Sequence, residues 1–133
     1  DIAGGGYQRV ALDLMTALST GEPARMILDV GNADSGSAAI ASLADEAVIE
    51  VPCDVDGDGI HPRPVAPLTG APLGLVQSVK ACEDLVIEAV RRRDESLAWR
   101  ALAQHPLVDS VRAARRVLDS YIARNPLVAA VFD

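Results

Sequence analysis

From Leu75 to Ile122 the apolar residues return every three or four positions, whereas Met26-Ile27-Leu28-Asp29-Val30 and Ala47-Val48-Ile49-Glu50-Val51-Pro52-Cys53 are short apolar runs. A period near 3.6 fits one face of a helix, and a short run bounded by turn residues fits a buried strand. A chain that carries both patterns in separate stretches has to combine helices with a sheet. In the helical stretch, which begins after Pro72, Leu75, Val79, Cys82, Val86 and Ala89 share a face that Leu85 and Val90 widen. Asp94 is placed to cap a following helix carrying Leu97, Ala98, Ala101 and Leu102, which His105-Pro106 ends. Asp109 or Ser110 opens a last helix with Val111, Ala114, Leu118, Tyr121 and Ile122 inward, closed near Asn125-Pro126. Near the start, Tyr7, Val10, Ala11, Leu14, Ala17 and Leu18 mark one more helix, stopping at Ser19-Thr20-Gly21 with Gly21 as a left-handed cap.

The sheet is the smaller part. Gly31 to Ser37 is loop-like, rich in Gly, Ser, Asn and Asp. Pro52 cannot donate to a ladder, so the second run is expected at an edge or a bulge. A weak third strand is expected near Arg63 to Val65, and Asp56-Gly57-Asp58-Gly59 supplies the turn of a hairpin. The fold class is therefore α+β: about four helices packed with a small antiparallel sheet. The apolar residues are mostly Ala, Val and Leu, with one Trp and one Phe, which suits closely packed helices better than an aromatic-rich sandwich.

Charge and cysteine usage narrow the function classes. A net charge of −7 argues against nucleic acid, whose phosphates need a basic face. Arg91-Arg92-Arg93 is the one basic run and reads as a solvated helix end. Cys53 and Cys82 lack metal-ligand spacing and read as buried thiols of a reducing, cytoplasmic compartment. No apolar run approaches the ~20 residues of a membrane span, and the start Asp1-Ile2-Ala3-Gly4, without Met or a basic stretch, suggests a piece of a longer chain.

Individual motifs are weak. Asp54-x-Asp56-x-Asp58-Gly59 matches the first half of a calcium loop, but Val65 holds the twelfth position and Pro62 and Pro64 forbid the exiting helix. An acidic hairpin is the better reading. Gly4-Gly5-Gly6 lacks the spacing of a dinucleotide loop and suits a close backbone approach at a helix start. His105 caps or packs, and His61 sits in a loop. By periodicity alone Tyr7 is a core residue.

Five segments in order change the weight of Tyr7: Gly5-Gly6-Tyr7-x-x-x-Ala11, Met26-Ile27-Leu28-Asp29-Val30-Gly31-Asn32, Ala47-Val48-Ile49-Glu50-Val51-Pro52-Cys53, Gly74-Leu75-Val76-Gln77-x-Val79-Lys80-Ala81-x-Glu83 and His105-Pro106-Leu107-Val108. Together they resemble successive blocks of glycoside hydrolase family 4, with the strongest likeness to its 6-phospho-β-glucosidase branch. The resemblance implies that residues 1–133 are a carboxy-terminal domain, like that of lactate and malate dehydrogenases, lacking the amino-terminal NAD-binding half. It implies NAD and a divalent metal, usually Mn2+, bound mainly by that missing half, and a phosphorylated disaccharide or glycoside as substrate. The family oxidises the sugar at C3, removes the C2 proton and eliminates the aglycone. Its base is a tyrosine after a glycine pair at a helix start, which is the position of Tyr7. Asn32 matches a pocket residue, and no metal ligand is assigned; the family's metal-binding Cys and His lie upstream.

One departure stands out. Many β-glucosidase members carry Arg-Asn-x-Gly where this chain has Gly31-Asn32-Ala33-Asp34, which bears on recognition of the 6-phosphate. The resemblance further implies packing against the chain's own amino-terminal domain, a homo-oligomer, and no activity of this piece alone. The rival readings are a non-catalytic oligomerisation module and a 2-hydroxy acid dehydrogenase-like domain, whose catalytic histidine and substrate arginine have no match here.

Overall fold

The computed structural model describes residues 6–34 and 36–133; residues 1–5, Gly4 and Gly5 among them, and Ser35 lie outside them. The chain divides into two compact units, one ending at Leu68 and the other spanning Thr69–Asp133. The first contains α1 (Gly6–Thr20), β1 (Ala24–Gly31), β2 (Val48–Asp56) and β3 (Gly59–Pro62). The second contains α2 (Gly70–Arg92), α3 (Glu95–Gln104), α4 (Val111–Arg124) and α5 (Pro126–Phe132).

In the first unit the strands form an antiparallel sheet in the order β1-β2-β3. Alternation places Val30, Ile49, Val51, Cys53 and Val55 on one face, buried together with Ala17 of α1 and Ala39 of the β1–β2 connection. Gly21, at φ 76°, ends α1, and its N–H bonds the Ala17 carbonyl at 3.0 Å. Arg25, Ile27, Asp29, Pro52 and Glu50 point the other way and are exposed.

Two strand expectations and one helix expectation are revised. The third strand is Gly59–Pro62 rather than Arg63 to Val65, because Gly57-Asp58 makes a two-residue turn and pairing resumes at once, with Asp56 opposite Gly59. The run containing Pro52 is the central strand, not an edge or a bulge. Pro52 is tolerated because β3 has ended at its level: Arg63 N–H still reaches the Pro52 carbonyl at 2.9 Å, and only the return bond, which needs the missing proline N–H, is absent. The helix near the start forms as expected, yet only Leu14 and Ala17 of its stripe pack on the sheet, and Val10 and Leu18 are exposed.

The second unit is built from helices that follow one another closely. Its buried residues are Cys82, Ala89, Ala101, Ala114 and Leu118, all but Leu118 small side chains that let helix axes approach. The Asp94 side chain accepts from Ser96 N–H at 2.8 Å and Ser110 Oγ from Ala113 N–H at 3.1 Å, so both expected caps are in place. The stripe on α2 is narrower than its spacing implies: Leu75, Val86 and Val90 are exposed. Among the described residues there are five helices rather than about four. Asn125-Pro126 does close α4, but Pro126 then opens α5 at a first helical position, where its missing N–H costs nothing.

Candidate functional site

Tyr7 is the second residue of α1 and its side chain is 96% exposed, so the core reading from periodicity does not hold. The first turns of α1 stand off the sheet and leave a pocket of roughly 420 Å³ lined by Gly6, Tyr7, Val10, Ile27, Leu28, Asp29 and Glu50. Asp29 and Glu50 are register partners on β1 and β2, which puts two carboxylates side by side on the same face. Like charges directly opposite are unfavourable in a sheet. Neither acid was singled out by sequence motifs; the available signal was a lone acid inside each apolar run, between Leu28 and Val30 and between Ile49 and Val51.

A larger groove of roughly 680 Å³ follows α1 and β1, past Arg9, Asp13, Thr16 and Arg25. Arg9 pairs there with Asp13 and Arg25 with Asp54.

Asn32 has a different placement from the pocket lining expected of it. It is fully buried. Its Oδ1 accepts from Ile40 N–H at 2.8 Å, and its Nδ2 donates to the carbonyls of Ile40, Leu43 and Ala44 at 3.0, 3.3 and 3.1 Å. The Asn32 backbone bonds Ala47 and Ala39 as well. One amide side chain thus organises the whole β1–β2 connection.

The acidic hairpin spends its carboxylates on neighbours. Asp54 lies between Arg25 (3.0 Å) and Arg63 (2.7 Å), and hydrogen bonds from Arg25 and then Arg63 hold it below the usual carboxylate range. Asp56 accepts from Asp58 N–H at 2.9 Å and faces His61 Nε2 at 3.2 Å; its acidity is likewise raised, first by the Asp58 N–H. Cys53 is buried in the first unit and Cys82 in the second, and burial pushes both thiols up. His105 receives Leu107 N–H on Nδ1 at 3.2 Å beyond the end of α3.

Among the described residues no three His, Cys, Asp or Glu side chains are grouped to hold a metal. Among the described residues the sheet is antiparallel and holds no parallel strand–turn–helix unit of the kind that cradles a dinucleotide. No helix among the described residues is long and apolar enough to cross a membrane.

The first unit is thus an α+β arrangement with a tyrosine exposed at a helix start beside a cleft that holds two carboxylates. The family model for the C-terminal domain of family 4 glycosyl hydrolases matches residues 2–108, and the chain belongs to that family. It is 33% identical over 122 residues to 6-phospho-β-glucosidase BglT of Thermotoga maritima, spanning 92% of this chain and 28% of that protein. It is 31% identical over 114 residues to maltose-6'-phosphate glucosidase of Bacillus subtilis, spanning 86% and 24%. Among solved structures, a Thermotoga maritima 6-phospho-β-glucosidase with manganese, NAD+ and glucose-6-phosphate superposes with a TM-score of 0.78 at 30% identity, over 92% of this chain and 29% of that one. A 6-phospho-α-glucosidase from gut microorganisms, with NAD and glucose-6-phosphate, gives 0.83 at 27% identity, over 93% and 27%. The chain spans under a third of the length of these relatives.

Proposed function

We propose that the full-length protein is an NAD- and manganese-dependent glucosidase of the 6-phospho-β-glucosidase branch, and that this portion supplies the base for the C2 proton. The observation that carries the reading is Tyr7: exposed, in the first turn of α1, beside a cleft, at the position that resembles the family's base. The cofactor and metal supply oxidation at C3 and acidify the C2 proton, and they are held outside the described residues. The Tyr7 oxygen takes that proton as the bond from C1 to the aglycone breaks, and returns it when water adds across C1 and C2. Asn32 acts as a positioning residue, through the β1–β2 connection it fastens.

Tyr7→Phe in the full-length protein is expected to abolish exchange of the C2 proton with solvent deuterium and to leave NAD binding intact. Thermal stability should change by less than about 0.5 kcal/mol, since the side chain is exposed. The chain alone should show no turnover in the same assay. Wild-type exchange in the variant would remove Tyr7 from the mechanism.

A further inference from the structure

The two edges of the sheet are built differently. β3 is short and ends on Pro62, with Pro64 following, and both features blunt an edge. β1 runs over Ala24–Gly31 in unbroken register with β2, and it contains neither proline nor lysine. The sheet order β1-β2-β3 leaves its other side open among the described residues. A regular edge of this length is a template for a further strand.

Pro52 fixes which groups lie on that edge. It has no N–H, and its carbonyl turns to Arg63 N–H at 2.9 Å, so it exchanges no bonds with Ile27, its register partner on β1. Bonded and unbonded pairs alternate along an antiparallel ladder. Arg25, Ile27 and Asp29 therefore direct their N–H and C=O groups away from β2. Gly31 is next in that series, and its N–H is taken by Asp34 Oδ2 at 2.8 Å, which closes the edge there.

The side chains on this edge complement themselves. Arg25, Ile27 and Asp29 share the exposed face, with the cation two places before Ile27 and the anion two places after it. A half-turn about Ile27 sets Arg25 opposite Asp29 and Ile27 opposite its own copy. Ile27, 61% exposed, gains cover. The like-charged register partners Asp29 and Glu50 gain a cation on the open side of Asp29. On the other face, exposed Val10 of α1 lines the groove beside β1, where a further strand covers it. Eleven Asp and Glu against three Arg give the first unit −8 and leave the second +1. Two copies thus repel at long range, and the balanced charges of the edge set how they meet.

We propose that β1 pairs with β1 of a second copy of this chain, antiparallel and centred on Ile27, with the partner's Arg25 opposite Asp29. Asp29 lines the Tyr7 pocket, so the pairing brings the partner's Arg25 to that wall of the pocket.

The test uses the full-length protein, in sedimentation over a dilution series and in amide hydrogen exchange. The amides of Arg25, Ile27 and Asp29 are expected to be protected in the dimer and to lose protection on dilution to monomer. Ile27→Pro removes an N–H that the chain's own ladder does not use, and should raise the dimer Kd about tenfold or more. Asp29→Lys and Glu50→Lys change the net charge equally, and each sets opposite charges across β1 and β2. Only Asp29→Lys puts a cation opposite the partner's Arg25, so its dimer should be several-fold weaker than that of Glu50→Lys. Protection of the three amides that persists in the monomer would mean that a segment of the same chain occupies the edge, and would overturn the proposal. So would a dimer whose Kd is unmoved by Ile27→Pro, or equal Kd values for the two lysine variants.

Discussion

Asn32 shows how much one buried polar side chain can hold. Four hydrogen bonds from its amide reach residues eight to twelve positions away, so its sequence neighbours give no sign of this duty. Asn32→Ala would strand Ile40 N–H and three carbonyls in a buried place. An unmade buried bond costs about 1–3 kcal/mol, so urea unfolding of the variant should show a loss of about 3 kcal/mol or more. A loss under about 1 kcal/mol would mean that the connection is fastened elsewhere. Tyr7 is the opposite case: its place in an apolar stripe was plain, but whether the sheet reaches as far as the first turn depends on how the helix is set against it, which spacing does not encode.

At the scale of elements, the legible features were those whose cause is local. Asp94, Ser110 and Gly21 act within a few residues of themselves, and all three appear where their chemistry put them. What escaped was set by neighbours or by alternatives of equal local merit. Pro126 both stops α4 and starts α5, and Pro52 sits in a central strand because β3 happens to end beside it. The end of α2 shows a local rule strained: Arg93 takes φ 55°, a left-handed conformation where glycine is usual, while Asp94 N–H closes back on the Ala89 carbonyl at 3.0 Å. Arg93→Gly should relieve the steric cost of that conformation, less the helix-end charge and the entropy of glycine. A net gain of about 0.5 kcal/mol, or a rise in Tm of roughly 2–4 °C, is expected in a calorimetric scan. A fall in Tm would show that the Arg93 side chain contributes more than its backbone costs.

For the whole molecule, the split into an acidic αβ unit and a nearly neutral helical unit is the organising fact, and the proposed chemistry lies with the acidic one. Each unit also encloses a single thiol, Cys53 in one and Cys82 in the other. A thiol shut away from solvent, with its ionisation held back by burial, reacts with a water-soluble disulfide reagent only when its surroundings open. The protein therefore carries two internal clocks, one per unit, with no label to engineer. Under native conditions the two sulfurs should be modified at two separate rates, resolved by peptide mass analysis, and each rate should follow the opening of its own unit. A single shared rate would mean that the two units breathe as one.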